Sequence, residues 1–264
     1  MNSPSQSSIQ KVKTFWNANP LWTGESKYEP GSKEFFEEHK KTVKEDCYAG
    51  EIDGRVFPKV LDKELVLDLG CGPGFGTVEI SLKGNKNIVA ADLSEKSISL
   101  AQKRCGTYGI NAKLCVQNAE ELGFRNETFL HVNCQGVIHH TPEPEAILKE
   151  ISRVLKKNGT ACLSVYYLNN FLRFWPLIRW LGKIFSRFGA GLRGRGRERI
   201  YEEQNIFEIV KLFDGSDNPI GKCYTKKEFQ SMLSPYFHVE QFYFHFFPAR
   251  SLPFKITKTI AQVS

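Results

Sequence analysis

The sequence has no Cys-x-x-Cys pair; its seven cysteines stand singly at 47, 71, 105, 115, 134, 162 and 223. An odd, scattered set argues against both a disulfide framework and a zinc knuckle, so no metal is expected and most of the thiols should be reduced and buried. Also missing is any uninterrupted apolar run near the roughly 20 residues that a membrane-spanning helix needs. The opening MNSPSQSSIQKVK lacks the apolar core of a secretory signal, and a cytoplasmic location is expected. No internal repeat is visible. With 264 residues, 41% apolar, 25% charged, 21 Gly and 12 Pro, the composition excludes collagen-like, low-complexity and disordered classes. One domain with an appendage is the natural reading.

The formal net charge is +7, but its placement matters more than its total. Between Asn169 and Ile200 stand eight basic residues (Arg173, Arg179, Lys183, Arg187, Arg193, Arg195, Arg197 and Arg199) against one acid, Glu198. That segment carries the whole excess, and the rest of the chain sums to neutral.

Residues 64 to 167 alternate between strand and helix patterns, which predicts a parallel sheet built from βαβ units. ELVLDLG, NIVAADLS, AKLCVQNAEEL, FLHVNCQGV and TACLSVYY read as five strands. Between the last two, PEPEAILKEISRVLKKNG reads as a helix that starts at Pro142 or Pro144, repeats Ala146, Ile147, Ile151, Val154 and Leu155 on one face, and stops at Gly159. Upstream, SKEFFEEHKKTVKEDC is a peripheral helix with Ser32 as N-cap, and WNANPLWTGESKYEPG before it reads as an irregular arm. Downstream, TKKEFQSMLSPYF resumes as helix and HVEQFYFHFF as a strand. The expected divisions are an N-terminal arm with lid helix (1–50), a core (51–168), a basic amphipathic cap insertion (169–222) and a C-terminal helix and strand completing the core (223–264).

In VLDLGCGPGFG, glycines at 70, 72, 74 and 76 follow a strand directly, so the backbone can turn tightly and approach a ligand. The dinucleotide fingerprint G-x-G-x-x-G is absent in every frame: the sixth position is Phe75 counted from Gly70 and Thr77 counted from Gly72. Asp68 followed by Gly70-Cys71-Gly72-Pro73-Gly74 resembles motif I of the class I S-adenosylmethionine-dependent methyltransferases. Asp92 at the end of the second strand stands where that family binds the ribose, and a carboxylate there can accept from both hydroxyls of the diol. QNAEEL occupies the place of the family's Asp-Ala-Glu, with Asn118 for the acid that recognises adenine. The segment VIHHTPEPE resembles the V-L-H-H-x-x-D-P of the ubiquinone, menaquinone and small-molecule branch. The Asn-Pro-Pro-Tyr of base and glutamine methylating members and the double-acid loop of arginine methyltransferases are both absent.

The resemblance implies an α/β fold, a Rossmann-like doubly wound mixed sheet with an N-terminal helical arm and a cap insertion after the fifth strand. It implies S-adenosyl-L-methionine as cofactor, held by Asp68, Gly70, Cys71, Gly72, Gly74, Asp92, Leu93, Asn118, Ala119 and Gln135. Each has a structural alternative: Asp68 and Asp92 as helix caps, Asn118 as a loop turn, Cys71 as small filler. The implied reaction methylates a small or lipophilic molecule at oxygen, nitrogen or carbon. The alternatives are an RNA or protein methyltransferase using the basic 193–199 loop, and a catalytically silent cofactor-binding regulatory protein.

His139 and His140 lie just past the fourth strand, where ligands of open α/β sheets gather, and are the candidate catalytic bases. Tyr166, Tyr167, Tyr224 and His245 are further candidates, with packing as the alternative for each. Phe15, Trp16, Trp22 and Tyr28 on the arm either shield the sulfonium or anchor the arm.

In FLRFWPLIRWLGKIFSRFG, a helix entered at Pro176 puts Phe174, Trp175, Leu177, Ile178, Leu181, Ile184, Phe185 and Phe188 on one side and Arg179, Lys183 and Arg187 on the other. It fits a substrate-covering helix or a peripheral membrane contact through 171–188; with no RNA module in sight, nucleic acid fits least. FDGSDNPIGKCYTKKEFQ is the expected hinge where the cap rejoins the core.

Overall fold

A computed structural model describes residues 4–48, 50–58, 63–186 and 197–245. Short apolar runs form the centre of a five-stranded sheet: β1 (Val66–Leu69), β2 (Ile88–Asp92), β3 (Lys113–Val116), β4 (Phe129–Gln135) and β5 (Leu155–Ser164). Every residue of β1 is buried, as a strand covered on both faces requires. The order is β3-β2-β1-β4-β5, and all four pairings are parallel. The chain therefore runs outward from β1 to β3, then returns and runs the other way from β4. That reversal opens a crevice at the carboxyl ends of β1 and β4, where ligands of such sheets bind.

Helices α3 (Phe75–Leu82), α4 (Glu95–Thr107) and α5 (Pro144–Val154) cover the sheet. On α5, Ile147, Leu148, Ile151 and Val154 are fully buried and join Leu67, Leu69, Val132 and Cys134 in the main core. The helix stops at Val154, not at Gly159. Leu155 is drawn into pairing with Phe129, and the register then jumps to His131 opposite Thr160, so residues 156–159 form a bulge with Asn158 in the left-handed region (φ 63°).

Before the sheet, α1 (Pro4–Ala18) and α2 (Lys33–Tyr48) form the arm. α2 begins as expected, with the Phe35 amide donating to Ser32 Oγ at 3.1 Å. α1 extends through Trp16 and Asn17, which were expected to be irregular, because no breaker separates Pro4 from Pro20. After the sheet come α6 (Asn170–Arg173), α7 (Trp175–Ser186), a 3₁₀ turn at Arg197–Glu202, α8 (Ile206–Asp214) and α9 (Lys226–Leu233). Thr225 and Glu228 form a reciprocal capping box at the start of α9.

One expectation is corrected. Residues 238–245 form no strand, so the sheet of the described residues is parallel rather than mixed. Their aromatics pack on separate surfaces instead of lining one face: Phe242 on the main core, Tyr243 over the Arg55 guanidinium and Phe244 against Tyr167. Phe246 and Phe247 lie outside the described residues. On α7, Trp175 and Ile178 pack with Leu172, Ile200, Tyr201 and Ile209 in a small core of the insertion's own. Phe174, Leu177, Leu181 and Ile184, on the side that would face a substrate if the helix covered one and a bilayer if it met a membrane, are exposed. The cause is Tyr201, whose ring stacks on Trp175 and lies so close to Gly182 that a Cβ there would come within 2.3 Å of it, fixing which side of the helix is buried. Of the other residues on this insertion, Phe188, Arg187, Arg193 and Arg195 lie outside the described residues.

Candidate active site

Three glycines of the loop between β1 and α3 adopt positive φ, 72° at Gly70, 51° at Gly72 and 79° at Gly74, a region where a side chain is strained. Their surroundings differ. A Cβ on Gly70 would lie 2.0 Å from Val137 Cγ2, and one on Gly74 would lie 3.0 Å from the Ala101 backbone, so these two let β4's exit and α4 close on the loop. A Cβ on Gly72 would meet nothing within 4 Å, which leaves the middle of the loop open to the crevice. Cys71 is buried, with its thiol pushed up by burial.

Asp68 points inward. Its carboxylate accepts from Thr77 Oγ1 on α3 at 2.6 Å and from Asn133 Nδ2 on β4 at 2.8 Å, and burial raises its pKa. Asn133 Oδ1 in turn accepts from Gln135 Nε2 at 2.9 Å; Gln135 also donates to the Val56 carbonyl and accepts from Tyr48 Oη at 3.3 Å. This polar chain crosses the sheet beneath the loop. Asn133 and Thr77 were not anticipated, although the alternation of β4 puts Asn133 on the same face as Gln135.

Asp92 closes β2 and faces the loop. Oδ2 accepts the Gly72 amide at 2.9 Å and Oδ1 the Ser94 amide at 2.9 Å, so each oxygen retains a lone pair for a hydroxyl. Burial raises its pKa to about 6, partly offset by these backbone amides. Leu93 beside it is half-buried. At the end of β3, the Gln117 amide donates to the Asp92 carbonyl, which brings the next residue, Asn118, alongside. Asn118 Oδ1 accepts the Glu120 amide at 3.1 Å, a turn contact, and Ala119 is buried. The residues therefore fit an adenosyl ligand: an open glycine cradle, and a carboxylate with two available acceptor sites at the adjacent strand end.

Past β4, His139 and His140 occupy a 3₁₀ turn, both buried. Neither ring nitrogen of His139 has a hydrogen-bond partner, and burial holds its pKa well below the usual histidine value, so it is neutral. Its ring lies 4.0 Å from that of Tyr166. His140 Nδ1 is 2.8 Å from the Ile220 carbonyl, which can only accept, so this nitrogen carries the proton; Nε2 is 3.4 Å from Asp214 Oδ2. Tyr166 Oη donates to Asp214, with both carboxylate oxygens at 3.0 Å. Asp214 was not singled out from the sequence, where it reads only as part of the Asp-Gly turn.

The arm reaches the same place. Ser94 Oγ donates to the Trp16 carbonyl and the Asn17 side chain, Asn17 Nδ2 donates to Glu95, and Lys13 pairs with Glu95 at 2.6 Å. Trp16 sits edge-on to His140 at 5.3 Å. Trp22 Nε1 bonds Glu38 on α2 instead, and Tyr28 is exposed, so these two serve the arm's attachment or its surface. Tyr224 pairs by backbone with Tyr166 and Leu168, and its hydroxyl, pushed up to about 12 by burial, has no partner. His245 is exposed and lies 3.3 Å from Asp53, away from the histidine pair.

Residues 66–159 match a family model described as a methyltransferase domain. Among curated proteins, the chain is 33% identical over 99 residues to 2-methyl-6-phytyl-1,4-hydroquinone methyltransferase 1 of Oryza sativa, covering 37% of this chain and 29% of that one. It is 28% identical over 123 residues to the ubiquinone biosynthesis O-methyltransferase of Rhizobium etli, covering 42% and 49%. The chain thus spans about half or less of the length of these relatives. The crystal structure of PH0226 from Pyrococcus horikoshii superposes with a TM-score of 0.50 at 20% identity, covering 87% of this chain and 92% of that one, a likeness of fold. The stretch that is similar to methyltransferase domains, residues 66–159, is thus the one that carries the glycine loop, Asp92 and the histidine pair.

Proposed function

We propose that the protein transfers a methyl group from S-adenosylmethionine to a small, lipophilic acceptor. The observation that carries this reading is Asp92, held by the Gly72 and Ser94 amides with one acceptor site left on each oxygen, beside an open glycine. Gly70, Cys71, Gly72 and Gly74 shape the cradle, Asp68 and Gln135 brace it from below, Asp92 takes the ribose, and Leu93, Asn118 and Ala119 border the base. The cofactor supplies an electrophilic methyl on a sulfonium, and the chain's task is to orient the acceptor and exclude water, which accounts for up to roughly 7–11 kcal/mol in favourable cases.

His139 is the residue that meets the acceptor. A neutral imidazole with two unpartnered nitrogens suits hydrogen bonding to a hydroxyl or amine, and its depressed basicity makes it a positioning group more than a strong base. His140 is occupied by Ile220 and Asp214 and fastens the cap. The arm, through Trp16, is the lid. The relatives named for hydroquinone and ubiquinone methylation support a phenolic or quinol-type acceptor, and such molecules reside in membranes, consistent with a cytoplasmic protein in peripheral contact through 171–188. Among the described residues no helix is long and apolar enough to cross a membrane.

Incubation with methyl-labelled S-adenosylmethionine and a cell extract tests the reading, with Asp92→Ala as background. Label in the organic or aqueous small-molecule fraction supports it. Label in precipitated macromolecules favours RNA or protein as acceptor, and cofactor binding without label in any fraction favours a silent binder.

A further inference from the structure

The cap insertion presents a row of large apolar side chains to solvent. Phe174, Leu177, Trp180, Leu181 and Ile184 are exposed at 63%, 58%, 60%, 38% and 37% of their full surface. At 100° per residue they fill an arc of about 120° with no polar position inside it save the helix ends. The helix behind them is not loosely held. Trp175 Nε1 donates to the Glu203 carbonyl at 2.9 Å, Arg179 reaches the Glu202 carbonyl at 3.3 Å, and Trp175 and Ile178 are packed into the insertion's core. The exposed arc is therefore the outer face of a docked helix, set by the packing on its inner side.

The charge of this helix and of the sequence that follows it is mostly positive, with Glu202 and Glu203 beside Arg179. Arg173 is exposed at its amino end, Arg179 and Lys183 stand on the other side of the helix, and the sequence beyond it adds Arg187, Arg193, Arg195, Arg197 and Arg199. No acid occurs from Asn169 to Arg197. We infer that α7 is a docking surface for an anionic lipid bilayer, lying in the plane of the interface with Phe174, Leu177, Trp180, Leu181 and Ile184 at the acyl boundary and the arginines at the headgroup phosphates. A second copy of the chain is the poorer occupant, because it would bring another segment of net +7 against the first within a Debye length of about 8 Å. The inference does not depend on methyl transfer, and the binding test below reads it separately.

The full chain is sedimented with vesicles of phosphatidylcholine alone and with vesicles containing about one-third phosphatidylglycerol. Each basic residue near an anionic surface strengthens partitioning roughly fivefold, so binding to the anionic vesicles should exceed binding to neutral ones by at least about tenfold and fall at high salt. Leu177→Glu with Trp180→Glu should abolish it, leaving circular dichroism and melting unchanged because both side chains are exposed. Should that pair fail to fold, Trp180→Phe keeps the binding while removing the vesicle-induced blue shift of tryptophan fluorescence. Equal binding to both vesicles, binding to neither, undiminished binding of the folded Glu pair, or a blue shift that survives Trp180→Phe each overturns the inference; association with an acidic protein but with no vesicle would assign the face to a protein partner instead.

Discussion

At the scale of single residues, Asp92 and Gly72 separate folding from binding. Asp92 is an acid whose pKa rises from 3.8 to about 6 on folding, so between those values the folded state holds the proton more tightly than the unfolded one. The unliganded protein should therefore lose stability from this group as pH rises from about 4 to 6. Cofactor affinity should move the other way, strengthening as the carboxylate ionises. Melting curves and cofactor titrations across pH 4–8 would show both trends in the wild type and neither in Asp92→Asn. Gly72→Ala tests the open side of the cradle. Nothing within 4 Å opposes the new Cβ, so the cost to folding is the left-handed backbone alone, roughly 1–2 kcal/mol, while the methyl intrudes where the ligand lies. Calorimetry should find cofactor affinity reduced more than tenfold in a folded protein; Gly70→Ala, which collides with Val137, should instead fail at the level of stability. Thr77→Val leaves one Asp68 oxygen without its hydroxyl donor and should lower stability by about 1–3 kcal/mol in urea.

Between elements, the cap is fastened to the end of the sheet by a small set of polar contacts. α8 ends on Asp214, which meets Tyr166 just past β5 and His140 from the turn after β4, and the segment beyond it adds the Ile220 carbonyl to His140, the Lys222 amide to the His139 carbonyl and Lys222 Nζ to the Pro142 carbonyl. Asp214→Asn keeps the shape but weakens the hold on Tyr166 and His140. Methyl transfer should fall by about tenfold, the scale of one charge-assisted hydrogen bond, with cofactor affinity within twofold of wild type. A drop in both together would mean that Asp214 supports the fold generally and not the acceptor side. This set was illegible in the sequence because its members are far apart along the chain and Asp214 sits in a turn-rich run. By contrast the five strands, the glycine loop and the place of Asp92 were legible, since each is a local pattern: an apolar run, alternate glycines, an acid at a strand end. Local pattern also misled. The helical spacing of α5 continued into Leu155, but pairing with Phe129 took that residue into β5, and the aromatic run at 238–245 had the composition of a strand but pairs with none of the five.

Over the whole molecule, the part matched to the methyltransferase domain family and the part proposed to enclose the acceptor are different stretches of chain. The match covers residues 66–159, whereas Trp16, Tyr166 and Asp214, three of the groups around the histidine pair, lie outside it. Cofactor binding should thus tolerate changes in the arm and cap that acceptor methylation does not. Trp16→Ala gives the sharpest case. Its ring touches His140 but its backbone alone receives Ser94, so the arm's attachment through Lys13, Asn17 and Ser94 persists. Removing the indole opens the crevice to water above the histidines, while Asp92 and the glycine loop are untouched. In the labelling assay the variant should transfer about tenfold less methyl to the acceptor fraction, the scale of a misoriented or hydrated reaction, with the cofactor dissociation constant nearly unchanged. If cofactor affinity falls in parallel with transfer, the indole belongs to the cofactor site and the arm's role is to hold the nucleotide, not to close over the acceptor.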